Sequence, residues 1–219
     1  ADDMLGTIAH QLKGEKNLNV IIASGDMDTL QCVDKKRVQV YTLKKGIKDT
    51  ILYDEAAVKD RFGFPPSLVP DYKGLRGDPS DNIPGIAGIG DKTATTLITT
   101  FGSVDALYKK LKKSEQAFFE AGLTPRIVKL LKEGEEEAQF SKMLATIRVD
   151  APVTYEIPTI HWKEAVDSEE ILRLFNELGL RTLAARIRHI FELAEDVTPD
   201  RVASGVSDVE GKFSVKDLV

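Results

Sequence analysis

The sequence predicts an α/β fold with a largely parallel sheet, followed by an all-helical region. In residues 1–63, short apolar runs rich in β-branched residues alternate with helical patterns, as expected of strands that are joined by helices. Pro65 and Pro66 then interrupt the chain, and helical patterns separated by Gly, Pro and Ser continue over residues 67–148. This change of pattern marks the predicted end of the sheet-bearing part.

The elements of the sheet-bearing part follow from their local patterns. An apolar stripe at helical spacing runs through Ala1–Leu12, with two acids in the first turn, where the helix dipole favours them. The continuous apolar run Asn19–Ala23 suits a strand covered on both faces, whereas Arg37–Leu43 alternates as a half-buried strand does. In chain order the predicted elements are a helix over 1–12, a strand over 19–23, a turn over 24–26 that leads into a helix through Val33, strands over 37–43 and 50–53, and a helix from Asp54.

Four segments make up the predicted organisation of the chain. A short strand is expected near Tyr155–Trp162, and a helix capped by Ser168 is expected to extend to Ala194. The last residues lack periodicity and are rich in Asp, Ser, Gly and Val, which is typical of a linker. The segments are a sheet-bearing core over 1–63, a helical region over 64–150, a strand and helices that pack back on the core over 151–194, and a linker over 195–219.

The composition is that of a soluble globular protein without a membrane segment. Hydrophobic residues make up 42% of the chain and charged residues 30%, and no apolar run approaches the ~20 residues that cross a membrane. The single cysteine, Cys32, has no partner for an internal disulfide, so we expect a reducing, cytoplasmic setting. Because the chain begins at Ala1 on a helical pattern and without Met, we expect it to be a piece of a longer protein.

The net charge of −5 hides a basic segment. Residues 71–132 contain ten Lys or Arg and seven Asp or Glu, so this segment carries +3 and the rest of the chain −8. The distribution suits a protein that holds phosphates in one place and metal ions in another, and it equally suits a solvated helical surface.

Three pairs of aspartates form the candidate metal site. The pairs are Asp2 and Asp3, Asp26 and Asp28, and Asp78 and Asp81. The second pair follows a predicted strand at the edge where open α/β sheets place their sites, and the third pair would share one face of a helical turn. Two divalent ions about 4 Å apart can hydrolyse a phosphodiester when several acids converge on them. Each pair also has an ordinary interpretation, as first-turn acids, a helix cap and a turn respectively.

The glycine-rich segment NIPGIAGIGDKTA, over Asn82–Ala94, predicts a hairpin that leads into a helix. Its three glycines permit backbone conformations that other residues avoid, and its backbone N–H groups, with the helix N-terminus behind them, would form an anion cradle. The pattern matches a helix-hairpin-helix, which grips one DNA backbone without reading bases; the alternative is a plain turn between helices. The candidate DNA-binding residues are Gly85, Gly88, Gly90, Asp91, Lys92 and Thr93.

Four segments carry a resemblance to a known nuclease family. They are ADDMLGTIA, IIASGDMDTLQCV, GLRGDPSDNIPGIAGIGDKTA and LATIRVD, in this order. Together they closely resemble the 5′-nuclease domain (5′-3′ exonuclease or flap endonuclease) of bacterial DNA polymerase I, over residues 1–150 and more loosely to Phe191. The resemblance implies a PIN-like, Rossmann-like core with a helix-hairpin-helix of the H3TH type, acting on DNA in replication and repair.

The resemblance also implies roles for individual residues. All six aspartates fall on positions that bind two divalent ions, Mg²⁺ or Mn²⁺, and the hairpin glycines and Lys92 fall on the backbone-gripping motif. Family members often bind K⁺ at this hairpin through carbonyls, here around Ile86 and Ile89. The expected catalytic residues are Asp26, Asp28, Asp78 and Asp81.

The resemblance further implies what lies outside this sequence. The family's first strand, early aspartates, basic helical arch and the glutamate before Ala1 have no counterpart here, and a polymerase is expected after Val219. The expected partner is duplex DNA with a 5′ end or flap, bound by a monomer. Two alternatives stay open: a fragment that binds DNA without cutting it, and a PIN-like ribonuclease, a class that normally lacks the hairpin.

Overall fold

A computed structural model describes residues 1–45 and 49–192 of the chain. Its sheet has three strands in the order β1-β2-β3, namely β1 (Val20–Ala23), β2 (Val38–Lys45) and β3 (Asp49–Tyr53). Strands β1 and β2 are parallel, with Val20 opposite Val38. The three strands predicted in residues 1–63 are therefore confirmed, each with its ends shifted by a residue or two at most.

The pairing of β2 with β3 departs from the predicted parallel sheet. The two strands run antiparallel, with Val40 opposite Tyr53 and Leu43 opposite Thr50. Only residues 46–48 separate them in the sequence, whereas a parallel pair requires a crossover connection of about a dozen or more residues. The sheet is mixed: the parallel arrangement is confirmed for β1 and β2 and is wrong for β3.

Helices make up most of the remainder of the first compact unit, Ala1–Tyr155. They are α1 (Asp2–Gln11), α2 (Glu55–Phe62), α3 (Val69–Arg76), α4 (Asp91–Phe101), α5 (Val104–Leu111), α6 (Gln116–Glu120), α7 (Pro125–Glu133) and α8 (Glu135–Ala145). The helix predicted between the turn 24–26 and Val33 is a 3₁₀ helix over Met27–Cys32. Further 3₁₀ helices are Leu12–Gly14, Pro66–Leu68 and Pro79–Asp81, the last of which follows α3. The all-helical region predicted after residue 63 is confirmed.

Two apolar clusters hold this unit together. The first packs the sheet against α2 and the 3₁₀ helix Met27–Cys32, and its members Leu30 and Val40 have no exposed surface. The second joins α3, α4, α5, α7 and α8 around Leu75 and Leu97, which are equally buried. Burial of one such side chain stabilises a fold by about 1.5–3 kcal/mol. The segments that carry the candidate acids are therefore connected to helices and strands that are packed in these two clusters.

Helix α3 lies inside the helical region. Every residue from Val69 to Leu75 is buried, including Asp71, which is 4% exposed. The Asp71 carboxylate accepts the Val104 N–H at the start of α5 and the Lys142 ammonium of α8, each at 2.8 Å. A buried charge is tolerated when it is paired and hydrogen-bonded, so these contacts fix α3 to α5 and α8. The loop with Asp78 and Asp81 thus starts from a rigid helix.

A second unit begins at Glu156. Its described helices are α9 (Trp162–Ala165), α10 (Ser168–Glu177) and α11 (Arg181–Glu192). The strand predicted near Tyr155–Trp162 is wrong: residues 155–161 pair with no strand, and Pro158 among them lacks a backbone donor. None of the helices in the described residues combines the length and the apolar character needed to cross a membrane.

The helix predicted over Ser168–Ala194 is divided in two. Gly179, with φ of 70°, ends the first half, because a left-handed residue cannot continue a right-handed helix. The cap is Asp167 rather than Ser168, since the Asp167 carboxylate accepts two N–H groups of the first turn at 3.0 Å. The predicted packing of residues 151–194 on the core stays a prediction, and the predicted linker over 195–219 lies outside the described residues.

Candidate metal centre and nucleic-acid interface

Within the first unit, three carboxylates from two distant parts of the chain lie close together. Asp28 lies in the 3₁₀ helix that follows β1, whereas Asp78 and Asp81 lie at the two ends of the 3₁₀ helix that follows α3. One oxygen of each lies within 4.8 Å of the others. They meet because the 3₁₀ helix after β1 packs against α3. We call these three residues the acid cluster.

Local hydrogen bonds set the position of Asp78 within the acid cluster. Its Oδ1 accepts the Ser80 N–H at 3.0 Å and the Ser80 hydroxyl at 2.5 Å. Its backbone exchanges two N–H to carbonyl bonds with Ile83, both at 2.8 Å. The turn therefore holds one carboxylate oxygen and leaves the other, Oδ2, for a cation.

A cleft of about 230 Å³ opens beside the acid cluster. It is lined by Asp2, Asp3, Asp28, Asp81, Ile83, Leu144, Ala145, Thr146 and Ile147. Asp2 and Asp3 enter from the first turn of α1, and Asp3 Oδ1 accepts the Arg148 N–H at 2.8 Å. The structure thus brings Asp2 and Asp3 to the wall of the cleft but outside the acid cluster. Their role as metal ligands stays a prediction.

Asp26 is the predicted site residue that the structure sets apart from the cleft. Its carboxylate accepts the Asp28 N–H at 2.9 Å and caps the 3₁₀ helix that carries Asp28. Asp26 is exposed and does not line the cleft. Because Asn caps helices about as well as Asp, Asp26→Asn would test the charge of this side chain without removing the cap. Its role as a ligand stays a prediction.

Lys73 is the functional candidate that the sequence patterns did not indicate. This residue of α3 is 7% exposed, and its ammonium forms an ion pair with Asp28. The same Nζ lies 2.7 Å from Asp78 Oδ2 and 3.6 Å from Asp81 Oδ2. The one sequence signal was weak: a lysine stands in the helix that leads into the acidic turn, without an opposite charge at helical spacing.

Burial and ion pairing act against each other on the ionisation of these groups. Burial raises the pKa of Asp28, in spite of the Lys73 ammonium beside it. Burial opposes ionisation of Asp78 too, but the hydrogen bonds from Lys73 and Ser80 outweigh it and lower the pKa of Asp78 to about 2. For Lys73, burial favours the neutral amine, yet the bonds to Asp28 and Asp78 raise its pKa. At neutral pH, the site therefore holds an ionised Asp78 beside a charged Lys73.

The acid cluster fits a divalent metal ion. Carboxylate oxygens are the donors that Mg²⁺ and Mn²⁺ prefer, and three of them stand close enough together to share an ion. The Lys73 ammonium already occupies this position as a cation. The Asp81 side chain is 47% exposed, so the cluster opens toward solvent, where water or a phosphate can approach.

Two of the three hairpin glycines have conformations that require glycine. Gly85 has φ of +60° and Gly88 has φ of +91°, a region that other residues enter only with strain. The Gly85 N–H donates to the hydroxyl of Ser141, a fully buried residue of α8, at 2.9 Å. Gly90 differs from the prediction: with φ of −98° and open space around its Cα, it is the helix N-cap, a position that other residues can occupy.

The N-terminus of α4 is presented by this hairpin. No side chain caps this end of the helix, so backbone N–H groups of its first turn remain available to an anion. The Asp91 carboxylate accepts the Tyr72 hydroxyl and forms an ion pair with Arg76, which ties α4 to α3. Burial, followed by the bond to Asp91, raises the pKa of Tyr72 to about 12. Lys92 is exposed beside these groups.

The predicted K⁺ site falls on a well-packed part of the hairpin. Ile86 and Ile89 are both buried in the helical core, and the Ile86 carbonyl accepts the Ile89 N–H at 3.0 Å. The Ile86 N–H in turn donates to the Leu75 carbonyl at 2.9 Å. The backbone of this turn is therefore fixed, and binding of K⁺ by its carbonyls stays a prediction.

Comparison with known protein families and proteins gives concordant matches. Residues 1–63 match the family described as 5′-3′ exonuclease, N-terminal resolvase-like domain, and residues 64–168 match 5′-3′ exonuclease, C-terminal SAM fold. DNA polymerase I of Bacillus caldotenax is 34% identical over 215 residues, which are 93% of this chain and 23% of that protein. DNA polymerase I of Chloroflexus aurantiacus is 38% identical over 180 residues, which are 81% of this chain and 18% of that protein. The chain thus spans about a fifth of the length of these relatives.

Solved structures give the same fold. The T5 5′-exonuclease with bound zinc ions superimposes with a TM-score of 0.54 at 22% identity, over 66% of this chain and 48% of that chain. The bacteriophage T5 D15 flap endonuclease, in a pseudo-enzyme-product complex with DNA and metal ions, superimposes with a TM-score of 0.53 at 20% identity. The match covers 89% of this chain and 60% of that chain. At these identities the likeness establishes the architecture of the chain.

Proposed function

Because this chain belongs to the 5′-3′ exonuclease family, we propose that it acts in a metal-dependent nuclease. The enzyme hydrolyses phosphodiester bonds at the 5′ ends and 5′ flaps of DNA, as a monomer and as part of a DNA polymerase I. The observation that carries this proposal is the pairing of an acid cluster with an uncapped helix N-terminus, joined to each other through α3. The acid cluster would hold cations, and the N-terminus of α4 would hold phosphates.

The metal ions of this proposal are two Mg²⁺ or Mn²⁺ ions. When bound, they activate a water molecule and stabilise the leaving oxygen of the phosphodiester. Carboxylate oxygens of Asp28, Asp78 and Asp81 would bind the ions directly. Asp2 and Asp3 lie on the wall of the adjacent cleft. The charged form of Asp78 is secured by Lys73 and Ser80. The half-exposed edge at Asp81 admits the scissile phosphate.

The hairpin and α4 would hold duplex DNA by its backbone. The N–H groups of the first turn of α4 donate to phosphate oxygens, and Lys92 adds a positive charge. Contacts of this kind position DNA but carry no information on sequence. We propose that K⁺, coordinated by carbonyls around Ile86 and Ile89, shares in this contact.

The test of this function is cleavage of a 5′-labelled DNA flap with Mg²⁺, with Mn²⁺ and with EDTA. We expect cutting near the base of the flap with either metal and none with EDTA, because the carboxylates alone cannot activate water. Cleavage that persists in EDTA would contradict the proposal. Flap binding without cutting in any divalent metal would favour the DNA-binding module, and preferential cutting of RNA would favour the ribonuclease.

Lys92→Ala is expected to weaken binding to all duplex sequences about equally. The loss of one phosphate contact should reduce the slope of log affinity against log salt concentration by about 1. Fluorescence anisotropy of two unrelated duplexes at several KCl concentrations measures both quantities. The matched control is Lys36→Ala, which removes an exposed lysine from the turn before β2. A change of affinity for only one of the two duplexes would contradict the backbone contact.

A further inference from the structure

A lysine ammonium occupies the position in the acid cluster that suits a metal ion. Lys73 Nζ contacts carboxylate oxygens of all three members: an ion pair with Asp28, 2.7 Å to Asp78 and 3.6 Å to Asp81. Its side chain is 9% exposed, so its position is set by packing as well as by charge. The charge is needed there, since like charges held together in a half-buried site repel strongly when no cation separates them.

Packing of α3 keeps this ammonium in place. The helix is buried from Val69 to Leu75, and Asp71 and Tyr72, the two residues before Lys73, are hydrogen-bonded to α5 and α4 respectively. The backbone of Lys73 is therefore fixed, and the flexible part is the side chain beyond Cβ. A lysine side chain carries its ammonium on a flexible stem of four carbons. Rotation about the bonds of this stem allows the ammonium to leave the acid cluster without a change in the fold.

A divalent ion that shares these oxygens would stand beside the ammonium in a partly desolvated site. Like charges a few ångströms apart repel appreciably even where screening is strong. The ion and the ammonium would therefore compete for Asp28 and Asp78, which are the closest partners of the ammonium and two of the three carboxylates that could hold the ion.

We propose that Lys73 is the internal counter-cation of the metal site: it holds the acid cluster together while metal is absent, and it is displaced when a divalent ion binds. This inference rests on the metal dependence proposed above. If Lys73 acts in this way, it lowers the affinity of the site for metal, and it stabilises the folded site when no metal is bound. Lys73 is thus a positioning residue that tunes the affinity of the site.

The test uses Mn²⁺ titrations of the wild type, Lys73→Met and Lys73→Gln, followed by the EPR signal of free Mn²⁺. Both variants are expected to bind Mn²⁺ about tenfold more tightly, because a like charge has been removed from beside the ion. In EDTA their melting temperatures should be lower than that of the wild type, and saturating Mn²⁺ should raise them by more. Gln keeps a hydrogen-bond donor in case Met does not fold.

The matched control is Lys142→Met. Lys142 is another partly buried lysine with two acidic partners, Asp71 at 2.8 Å and Asp105 at 2.6 Å, and it lies outside the acid cluster. Its loss should lower the melting temperature in EDTA and leave the Mn²⁺ affinity unchanged. If Lys142→Met tightens Mn²⁺ binding as much as Lys73→Met does, the effect is one of overall charge and the proposal fails.

A second measurement needs no substitution. In the wild type, amine labelling of Lys73, read by mass spectrometry, should increase on addition of Mn²⁺ as the ammonium leaves its carboxylates, while that of Lys142 stays constant. Wild-type binding with unchanged affinity in both Lys73 variants, or unchanged labelling, overturns this inference and leaves the proposed function standing. Absence of Mn²⁺ binding in all variants overturns both.

Discussion

Flap cleavage that depends on Mg²⁺ or Mn²⁺ is expected to fall about 10²–10³-fold when Asp78 is replaced by Asn. Asp78 combines two tasks: Oδ1 builds the turn with Ser80, and Oδ2 lies 2.7 Å from the Lys73 ammonium, where a cation is bound. With its pKa lowered to about 2, the side chain is fully ionised at neutral pH. Asn keeps the size and the Oδ1 acceptor but removes the charge, so the metal loses a ligand.

Single-turnover rates on a 5′-labelled flap, with enzyme in excess, separate this loss from any change in DNA binding. The hairpin is untouched, so the affinity for the flap should change little. Asp105→Asn is the matched control, because bonds from Lys142 and Gln139 lower the pKa of Asp105 as well, while α5 carries it outside the acid cluster. Similar rate losses in both variants would show that a paired acid matters only for stability.

Local patterns were sufficient to predict the three strands of the sheet and to single out the three acids that meet in the acid cluster. The alternation in Arg37–Leu43 matches the single buried face of β2. The apolar run Asn19–Ala23 does form a strand, but the expected cover on both faces is wrong, since Ile22 is its one buried residue. Asp28 could be placed because it lies in the segment that follows a strand, and Asp78 and Asp81 because they flank one turn. In each case, the signal and the structure depend on the same few neighbours.

The features that were missed depend on contacts between distant segments. Lys73 becomes part of the site only because α3 is enclosed by other helices and because Asp28, 45 residues earlier, packs against it. The direction of β3 depends on a short connection whose length was visible, although apolar patterns alone do not distinguish parallel from antiparallel pairs. Gly90 was grouped with Gly85 and Gly88 by composition, and backbone angles separate it from them.

Gly85→Ala is expected to destabilise the first unit by about 3 kcal/mol or more and to abolish most of its affinity for duplex DNA. Alanine at φ of +60° costs about 1–2 kcal/mol in conformational strain alone. Its Cβ would also lie 2.2 Å from the Gly77 nitrogen and 2.5 Å from the Arg76 carbonyl carbon. Both are backbone atoms, so the end of α3 and the hairpin must move apart.

That movement would break the contact that holds the hairpin in place. The Gly85 N–H donates to Ser141 at 2.9 Å in the interior, and a buried donor left without a partner costs about 1–3 kcal/mol. The hairpin then no longer presents the N-terminus of α4 at a fixed position, and DNA binding by backbone N–H groups depends on that position. Stability and DNA affinity are therefore expected to fall together.

The other two glycines provide a graded comparison, measured by urea unfolding and by anisotropy with a labelled duplex. Gly88→Ala has an unfavourable φ of +91°, but its Cβ meets only the end of the Leu130 side chain at 3.0 Å, which can move. Gly90→Ala meets nothing within 4 Å at an ordinary φ, and Ala at an N-cap costs about 1 kcal/mol or less relative to Gly. The losses should therefore follow the order Gly85, Gly88, Gly90. If Gly90→Ala abolishes DNA binding while the fold stays intact, close approach of the phosphate to Gly90, rather than hairpin geometry, governs this interface.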